Sequence, residues 1–306
     1  MLIFLNGRFV PEKQAVVSVF DRGFLYGDGL FETLRVFNGA PFRWSEHLER
    51  LRRGAQFLHI ELPFPPDSLR GFADQLIAKN QMPDSLLRLT LSRGVGIRGY
   101  SPKDAHQPTL VMSLHPAPGA PASGPALSDN PRLGAGSEVG ASNTQLQPHW
   151  KLITSSFRLP AGEPLAQFKT GNKLPQILAR AEADAAGADE ALLRNTDGFV
   201  IEGSAANLFW IERERVCTPP LSGGMLPGVT RAVVLEICQS LGLKTGERNV
   251  SCEELVQADG VFLTVSSWGV VEAQSLDRRK LKQSPLAERI RVAYLELLRA
   301  EAQAAE

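Results

Sequence analysis

Cysteine is scarce in this chain. Cys217, Cys238 and Cys252 are odd in number and far apart, which fits neither a disulfide framework nor a zinc site. Net charge is missing too: 33 Lys and Arg balance 33 Asp and Glu, so no overall field draws the protein to nucleic acid or to an anionic membrane. No segment approaches the roughly 18 uninterrupted apolar residues of a membrane span. The opening MLIFLNGRFVPEK lacks a basic start followed by a long apolar run; it reads as a first strand rather than a secretory signal. No repeat period is visible. These absences leave a soluble protein with no metal, expected in a reducing cytoplasm. With 306 residues, 43% of them hydrophobic, the chain can bury a substantial core, as two domains or one large one.

Hairpins dominate what is present. LIFLNGRFV turns at Asn6-Gly7 and FETLRVFNGAPF at Asn38-Gly39, the strongest short-range hairpin signal. DRGFLYGDG between them is too rich in glycine for a regular element. SEHLERLRRGAQFLHI spaces Leu48, Leu51, Ala55 and Leu58 as an amphipathic helix that Ser45 could cap. LLRLTLSRG alternates as a strand. From Pro116 to about His149, Pro, Gly, Ala, Ser and Asn dominate, so 116–149 reads as a connection between a first domain, 1–115, and a second, 150–306. In the second, WKLITSSF is a strand and LPQILARAEADAAG a helix ended by Gly187. EALLRNTDGFVIEG is a hairpin turning near Asp197-Gly198, and ANLFWIERERVCTP continues the sheet. GVTRAVVLEICQSLG is a helix, Ser251 and Glu254 open another with a capping box, VFLTVSS is a strand, and Ser284-Pro285 starts a terminal helix running to about Ala300. Strands outnumber the needs of a doubly wound sheet, so the class is α+β.

Two glycine motifs fail their structural tests. Gly94, Gly96 and Gly99 spell G-x-G-x-x-G after a strand, but Pro102 and a polar run follow where a dinucleotide site needs a helix. TGNK lacks the rest of a phosphate-binding loop. Other residues carry more chemistry. Lys169 sits at a strand-to-helix junction, where a side chain can reach a cleft from a fixed backbone; desolvated, such an amine can attack a carbonyl. Lys173 lacks that position, and both could equally be solvated lysines at a helix start. Glu202, among Val200, Ile201, Leu208 and Phe209, is either an edge carboxylate or a buried acid with a dedicated partner, such as a protonated ring nitrogen. LPGVTR places Thr230 in the first turn of a helix, a ready phosphate site or an ordinary helix start. Arg50 in HLERL is a solvated charge or a phosphate clamp.

Taken together, KTGNKLPQ, EGSAANLF, LPGVTR, DRGFLYGDGLFET and EHLERL resemble, in order and spacing, the class IV aminotransferases, the fold-type IV enzymes of pyridoxal 5'-phosphate. The likeness covers nearly the whole chain outside 116–149. It implies a two-domain fold, a small α/β N-terminal domain followed by a larger β-rich C-terminal one. It implies Lys169 as the Schiff-base lysine and proton shuttle and Glu202 as partner of the pyridine nitrogen. Phosphate contacts would come from Arg50, Val229, Thr230 and Ser266, with Leu226 against the ring. It also implies a homodimer in which first-domain residues such as Arg98 reach the partner's site.

Within the family, SRGVGIRGYSP is similar to the RGxGxRGYS segment of the 4-amino-4-deoxychorismate lyases, and NLFW is similar to that group as well. The D-amino acid aminotransferases grip the substrate carboxylate with an R-x-H pattern and a tyrosine; here the matching positions hold Arg98, Tyr100 and Phe31, a departure that counts against a D-amino acid substrate. The likeness implies a lyase in which Lys169 takes the proton from the amino-bearing carbon, Thr33 assists, and the enolpyruvyl ether leaves as pyruvate with 4-aminobenzoate remaining. GDGLFETLRV is also common in transaminase-like members, and Trp268 departs from the patterns of the group, so a transaminase of branched-chain or other small amino acids stands as the alternative. A noncatalytic binding protein on the same fold would need neither Lys169 nor Glu202.

Overall fold

The computed structural model describes residues 1–118 and 149–304. The expected connection therefore lies almost entirely outside the described residues. The first 116 residues build a six-stranded sheet. Its strands are β1 (Leu2–Leu5), β2 (Arg8–Pro11), β3 (Gly29–Phe37), β4 (Ala40–Pro41), β5 (Ser85–Ser92) and β6 (Thr109–Pro116), in the order β2-β1-β6-β5-β3-β4. Both Asn-Gly turns have positive φ at each central residue, 47° and 89° at Asn6-Gly7, 52° and 82° at Asn38-Gly39, the backbone that matches strand twist in a tight hairpin. Along β3, Leu30, Glu32, Leu34 and Val36 are buried while Phe31, Thr33 and Arg35 are less so. That period of two puts the first set against helices α2 (Trp44–Leu58) and α3 (Pro66–Asn80) in one apolar cluster. The second set faces the other way, and it borders the candidate site.

Three local readings need correction. DRGFLYGDG contains a regular element, the five-residue helix α1 (Arg22–Tyr26): the Asp21 carboxylate accepts the Gly23 N–H at 2.7 Å, and Gly27, at φ 66°, ends it. Ser45 does not cap α2. The helix begins at Trp44, and Arg43, at φ 53°, occupies the cap position two residues before Ser45, without a side-chain cap bond. Its guanidinium is held by Glu46, Glu236 and Glu301, each at 2.9 Å, so ion pairs fix the entry where a hydroxyl was expected. Helix α3 was not read at all, although Leu69, Ala73, Leu76 and Ile77 form its buried stripe.

The second half contains β7 (Trp150–Leu159), α4 (Leu174–Ala185), β8 (Glu190–Asn195), β9 (Val200–Gly203), β10 (Asn207–Glu212), β11 (Arg215–Thr218), α5 (Val229–Ser240) and β12 (Lys244–Glu247). It continues through α6 (Cys252–Gln257), β13 (Gly260–Val265), β14 (Gly269–Leu276), β15 (Arg279–Lys280) and α7 (Pro285–Gln303). Its sheet runs β12-β11-β10-β13-β14-β7-β8-β9, and β9 pairs back onto β10 through Glu202 and Asn207. Six strands thus close into a ring with Glu202 at the join. The capping box at Ser251 and Glu254 and the Ser284 cap of α7 form as read. With hairpins in both sheets and helices packed on their faces, the fold is α+β. Among the described residues no helix is long and apolar enough to cross a membrane.

No helix follows Gly94, Gly96 and Gly99. Gly94 is there for another reason: its φ is 84°, and a Cβ would lie 1.8 Å from the Gln107 carbonyl oxygen. Gly94→Ala is expected to destabilise the protein by about 2 to 4 kcal/mol, from backbone strain plus the displaced chain, read as a shift in urea midpoint without a change in slope.

Candidate active site

Lys169 stands in the short stretch before α4, and its backbone is stitched to the first sheet. The Phe31 N–H donates to the Lys169 carbonyl and the Gly171 N–H to the Gly29 carbonyl, both at 2.9 Å, with Leu30 bridging Thr170. The side chain is half-buried, and its amine lies 4.7 Å from the centre of the Phe31 ring. Desolvation first, then the positive charge of Arg50, brings its pKa down to about 8, with Glu32 and Glu202 pulling the other way. Burial lowers the pKa of Lys173 as well, against the attraction of the Glu202 charge. Lys169 differs from it in the Phe31 contact and in the backbone pairing with β3.

Glu202 is 9% exposed. Burial pushes its pKa up to about 7, against the opposing influence of the Leu226 N–H, which donates to Oε2 at 3.1 Å. Oε1 takes no hydrogen bond from any described residue, so the acid has an oxygen free for a ligand donor. On the next strand, Asn207 donates through Nδ2 to the Leu226 carbonyl at 2.9 Å. Cross-strand pairing Glu202↔Asn207↔Thr264 puts all three on one face. The Leu226 peptide is therefore gripped at both its N–H and its C=O in front of that face. Gly228 passes so close that a Cβ would lie 1.9 Å from Asn207 Oδ1, which is why the turn into α5 carries glycine there. The buried Thr264 hydroxyl has no partner.

Helix α5 starts at Val229 with no side-chain cap, which leaves the first-turn amides of Val229 and Thr230 free for a ligand anion. Thr230 itself is buried beside the Tyr294 hydroxyl of α7. Ser266 lies in the β13–β14 turn, half-buried. Arg50 reaches this corner from α2: NH1 donates to the Pro227 carbonyl at 3.0 Å, while Nε and NH2 clasp Glu32 at 2.8 and 2.6 Å. Three of its five N–H groups are thereby committed, and two remain.

Sequence reasoning missed the support beneath Arg50. Glu32 is 1% exposed and also meets His47 Nδ1 at 2.7 Å. Burial opposes its ionisation, but Arg50 and His47 outweigh that and hold its pKa at about 2. Burial keeps His47 below the usual histidine range, so the neutral ring offers its Nδ1–H to Glu32. The signal was in the sequence: Glu32 interrupts the apolar alternation of β3 at a core position, where an unpaired acid cannot stay.

Arg98 and Tyr100 are not brought to Lys169 within this chain. Both are exposed, Tyr100 at 88%. Their loop is tied to α1, with the Arg22 guanidinium donating to the carbonyls of Gly99, Tyr100 and Ser101. Phe31 and Thr33 do face the site side, next to each other on β3.

A family model described as amino-transferase class IV matches residues 29–276. The chain belongs to the class IV aminotransferases. A Methanocaldococcus jannaschii protein provisionally named a branched-chain-amino-acid aminotransferase is 34% identical over 94% of this chain and 92% of its own. The aminodeoxychorismate lyase of Bacillus subtilis is 31% identical over 87% and 83%. A T.th. branched-chain amino acid aminotransferase, in a crystal structure complexed with N-(5'-phosphopyridoxyl)-L-glutamate, superposes with a TM-score of 0.82 at 30% identity, covering 96% of this chain and 93% of that one. The fold is that of the fold-type IV enzymes, and the cofactor of this class IV aminotransferase is pyridoxal 5'-phosphate. The residues present fit it. The free oxygen of Glu202, the orphaned Thr264 hydroxyl, the uncapped start of α5, the spare Arg50 donors and a lysine with a lowered pKa supply an acid, polar groups, an anion cradle and an amine.

Proposed function

We propose that this class IV aminotransferase is a lyase that converts 4-amino-4-deoxychorismate to 4-aminobenzoate and pyruvate. The observation that carries the reading is the placement of Thr33. It lies two positions along β3 from Phe31, on the same face, and the Phe31 ring centre is 4.7 Å from the Lys169 amine; a hydroxyl on that face supports a role at a departing ether oxygen. The likeness of RGVGIRGYS and NLFW to the lyase group supports it.

The cofactor, when bound, would supply a carbonyl for the substrate's amino group and a ring able to hold an electron pair. Glu202 would keep the ring nitrogen protonated, the α5 amides with Arg50, Thr230 and Ser266 would hold the phosphate, and Leu226 would lie against the ring. Lys169 would take the proton from the amino-bearing carbon. Thr33 protonates the departing ether oxygen, the C–O bond breaks, and the enol released becomes pyruvate while the six-membered ring aromatises.

A dimer belongs to this reading. Val16, Val19, Phe20 and Phe24 are exposed next to Ile97, because Asp21 bridges Val95. An apolar patch of this kind suits a second copy, and it would carry Arg98 and Tyr100 to the partner's site. The transaminase reading is favoured by the M. jannaschii relative's higher identity. Supplying 4-amino-4-deoxychorismate and, separately, a branched-chain amino acid with a 2-oxo acid distinguishes them. Pyruvate with 4-aminobenzoate is the expected product pair. A new keto acid and amino acid, with no pyruvate from the first substrate, replaces the lyase by the transaminase.

A further inference from the structure

The start of α5 and the β13–β14 turn, which carry candidate phosphate contacts, come from separate stretches of the chain, and α7 packs on α5, β13 and β14 together. Along α7, Ala287, Ile290, Tyr294 and Leu298 are buried at helical spacing. They join Val233, Val234 and Ile237 of α5 and Val270 of β14 in one apolar cluster. Tyr294 alone of those four has a polar tip. The residue is 2% exposed, so its hydroxyl needs a partner inside the protein.

The ring serves one element and the hydroxyl the other. Val265 pairs with Gly269 to close the β13–β14 turn, which holds Ser266. Gly269 lies against the Tyr294 ring: its φ is 75°, and a Cβ there would stand 2.3 Å from Cε1. The Phe42 ring meets Tyr294 edge-on, with centres 5.6 Å apart, and packs it from a second direction. The hydroxyl meets the side chain of Thr230, which is buried on α5 one turn before Val233 and Val234. Burial pushes the pKa of the phenol up, by more than Arg35 and Thr230 pull it down, so it keeps its proton.

We propose that Tyr294 is a positioning residue for the cofactor phosphate, bracing the Ser266 turn with its ring and orienting the Thr230 hydroxyl with its own. The proposal rests on the reading that α5, Thr230 and Ser266 hold that phosphate, and not on the choice between lyase and transaminase. A hydroxyl has one proton to give and two lone pairs. With the phenol donating to Thr230, the threonine keeps its own O–H for a phosphate oxygen.

The test titrates the full chain, freed of cofactor, with pyridoxal 5'-phosphate and separately with pyridoxal, which has the same carbonyl and ring but no phosphate. The visible band formed with Lys169 reports both. The wild type should bind the phosphate form more tightly. Tyr294→Phe, which keeps the ring, should lose about 3- to 10-fold in affinity for pyridoxal 5'-phosphate, the usual worth of one hydrogen bond, and bind pyridoxal as the wild type does. Tyr294→Leu, which also takes the ring from Gly269, should lose more, again for the phosphate form only. In a Thr230→Val background, Tyr294→Phe should cost almost nothing further. Equal losses for the two ligands place Tyr294 in general packing and overturn the assignment, as does a Tyr294→Phe protein with wild-type affinity for both. If neither Tyr294 variant folds, fluorine NMR of wild type carrying fluorotyrosine decides. Its signal for Tyr294, told from those of Tyr26 and Tyr100 by Tyr26→Phe and Tyr100→Phe, should move with pyridoxal 5'-phosphate and not with pyridoxal; a signal that moves alike with both overturns the assignment. A wild type that binds both ligands equally removes the phosphate reading and the proposal with it, whereas a clear wild-type preference with Tyr294→Phe unaltered removes Tyr294 alone.

Discussion

Lys169→Ala is expected to abolish turnover, with kcat falling by about 10⁴-fold, the upper range for removing a positioned proton-transfer group. The same protein should lose the visible absorption that borohydride bleaches in the wild type. Lys173→Ala should retain that absorption, because Lys173 shares the neighbourhood of Glu202 but not the Phe31 contact. The pH dependence carries a sign. An amine must be neutral to attack a carbonyl, and the Lys169 pKa is brought to about 8 by burial and Arg50, so uptake of pyridoxal 5'-phosphate by cofactor-free protein should speed up as pH rises and level off above about 8. Full activity in Lys169→Ala, or an uptake rate that stays flat from pH 6 to 9, would remove Lys169 from the chemistry.

Glu32→Gln is expected to cost about 3 to 5 kcal/mol, the usual penalty for leaving a buried arginine without its carboxylate. Arg50 would lose its charge partner on two donors and His47 its acceptor. The folded-state pKa of Glu32, about 2, lies below its unfolded value, so its contribution is present above pH 4.5 and disappears as pH falls through 2. By linkage that contribution is about 3 kcal/mol. The stability gap between wild type and variant, measured from urea midpoints, should therefore be widest near pH 7 and shrink between pH 4.5 and 2. A gap that does not change with pH would place the effect in packing rather than in charge. Loss of phosphate affinity should accompany the loss of stability, since the same acid holds Arg50 against the Pro227 carbonyl.

Hairpin turns, the capping box and the class of fold were legible because each depends on a few neighbouring residues: Asn-Gly demands positive φ twice, and Ser251 with Glu254 satisfies two amides locally. Long-range pairing was not. Nothing in the sequence says that β9 closes onto β10, or that Arg93 comes from 65 positions away to join Arg22 on Asp28. Arg43 misled because a hydroxyl beside it looked like the natural cap, whereas three acids, two of them nearly two hundred positions or more away, set the helix entrance. In the candidate site, Lys169, Glu202 and the LPGVTR turn were named from motif likeness, and their neighbours Glu32, His47, Asn207 and Thr264 were not. Those neighbours touch one another only across strands and helices, and their identities alone carry no register.

The pairing of residues 169–171 with β3 ties the Lys169 amine to both halves of the molecule at once. Prising the halves apart would break that seam and carry the amine out of register with Phe31.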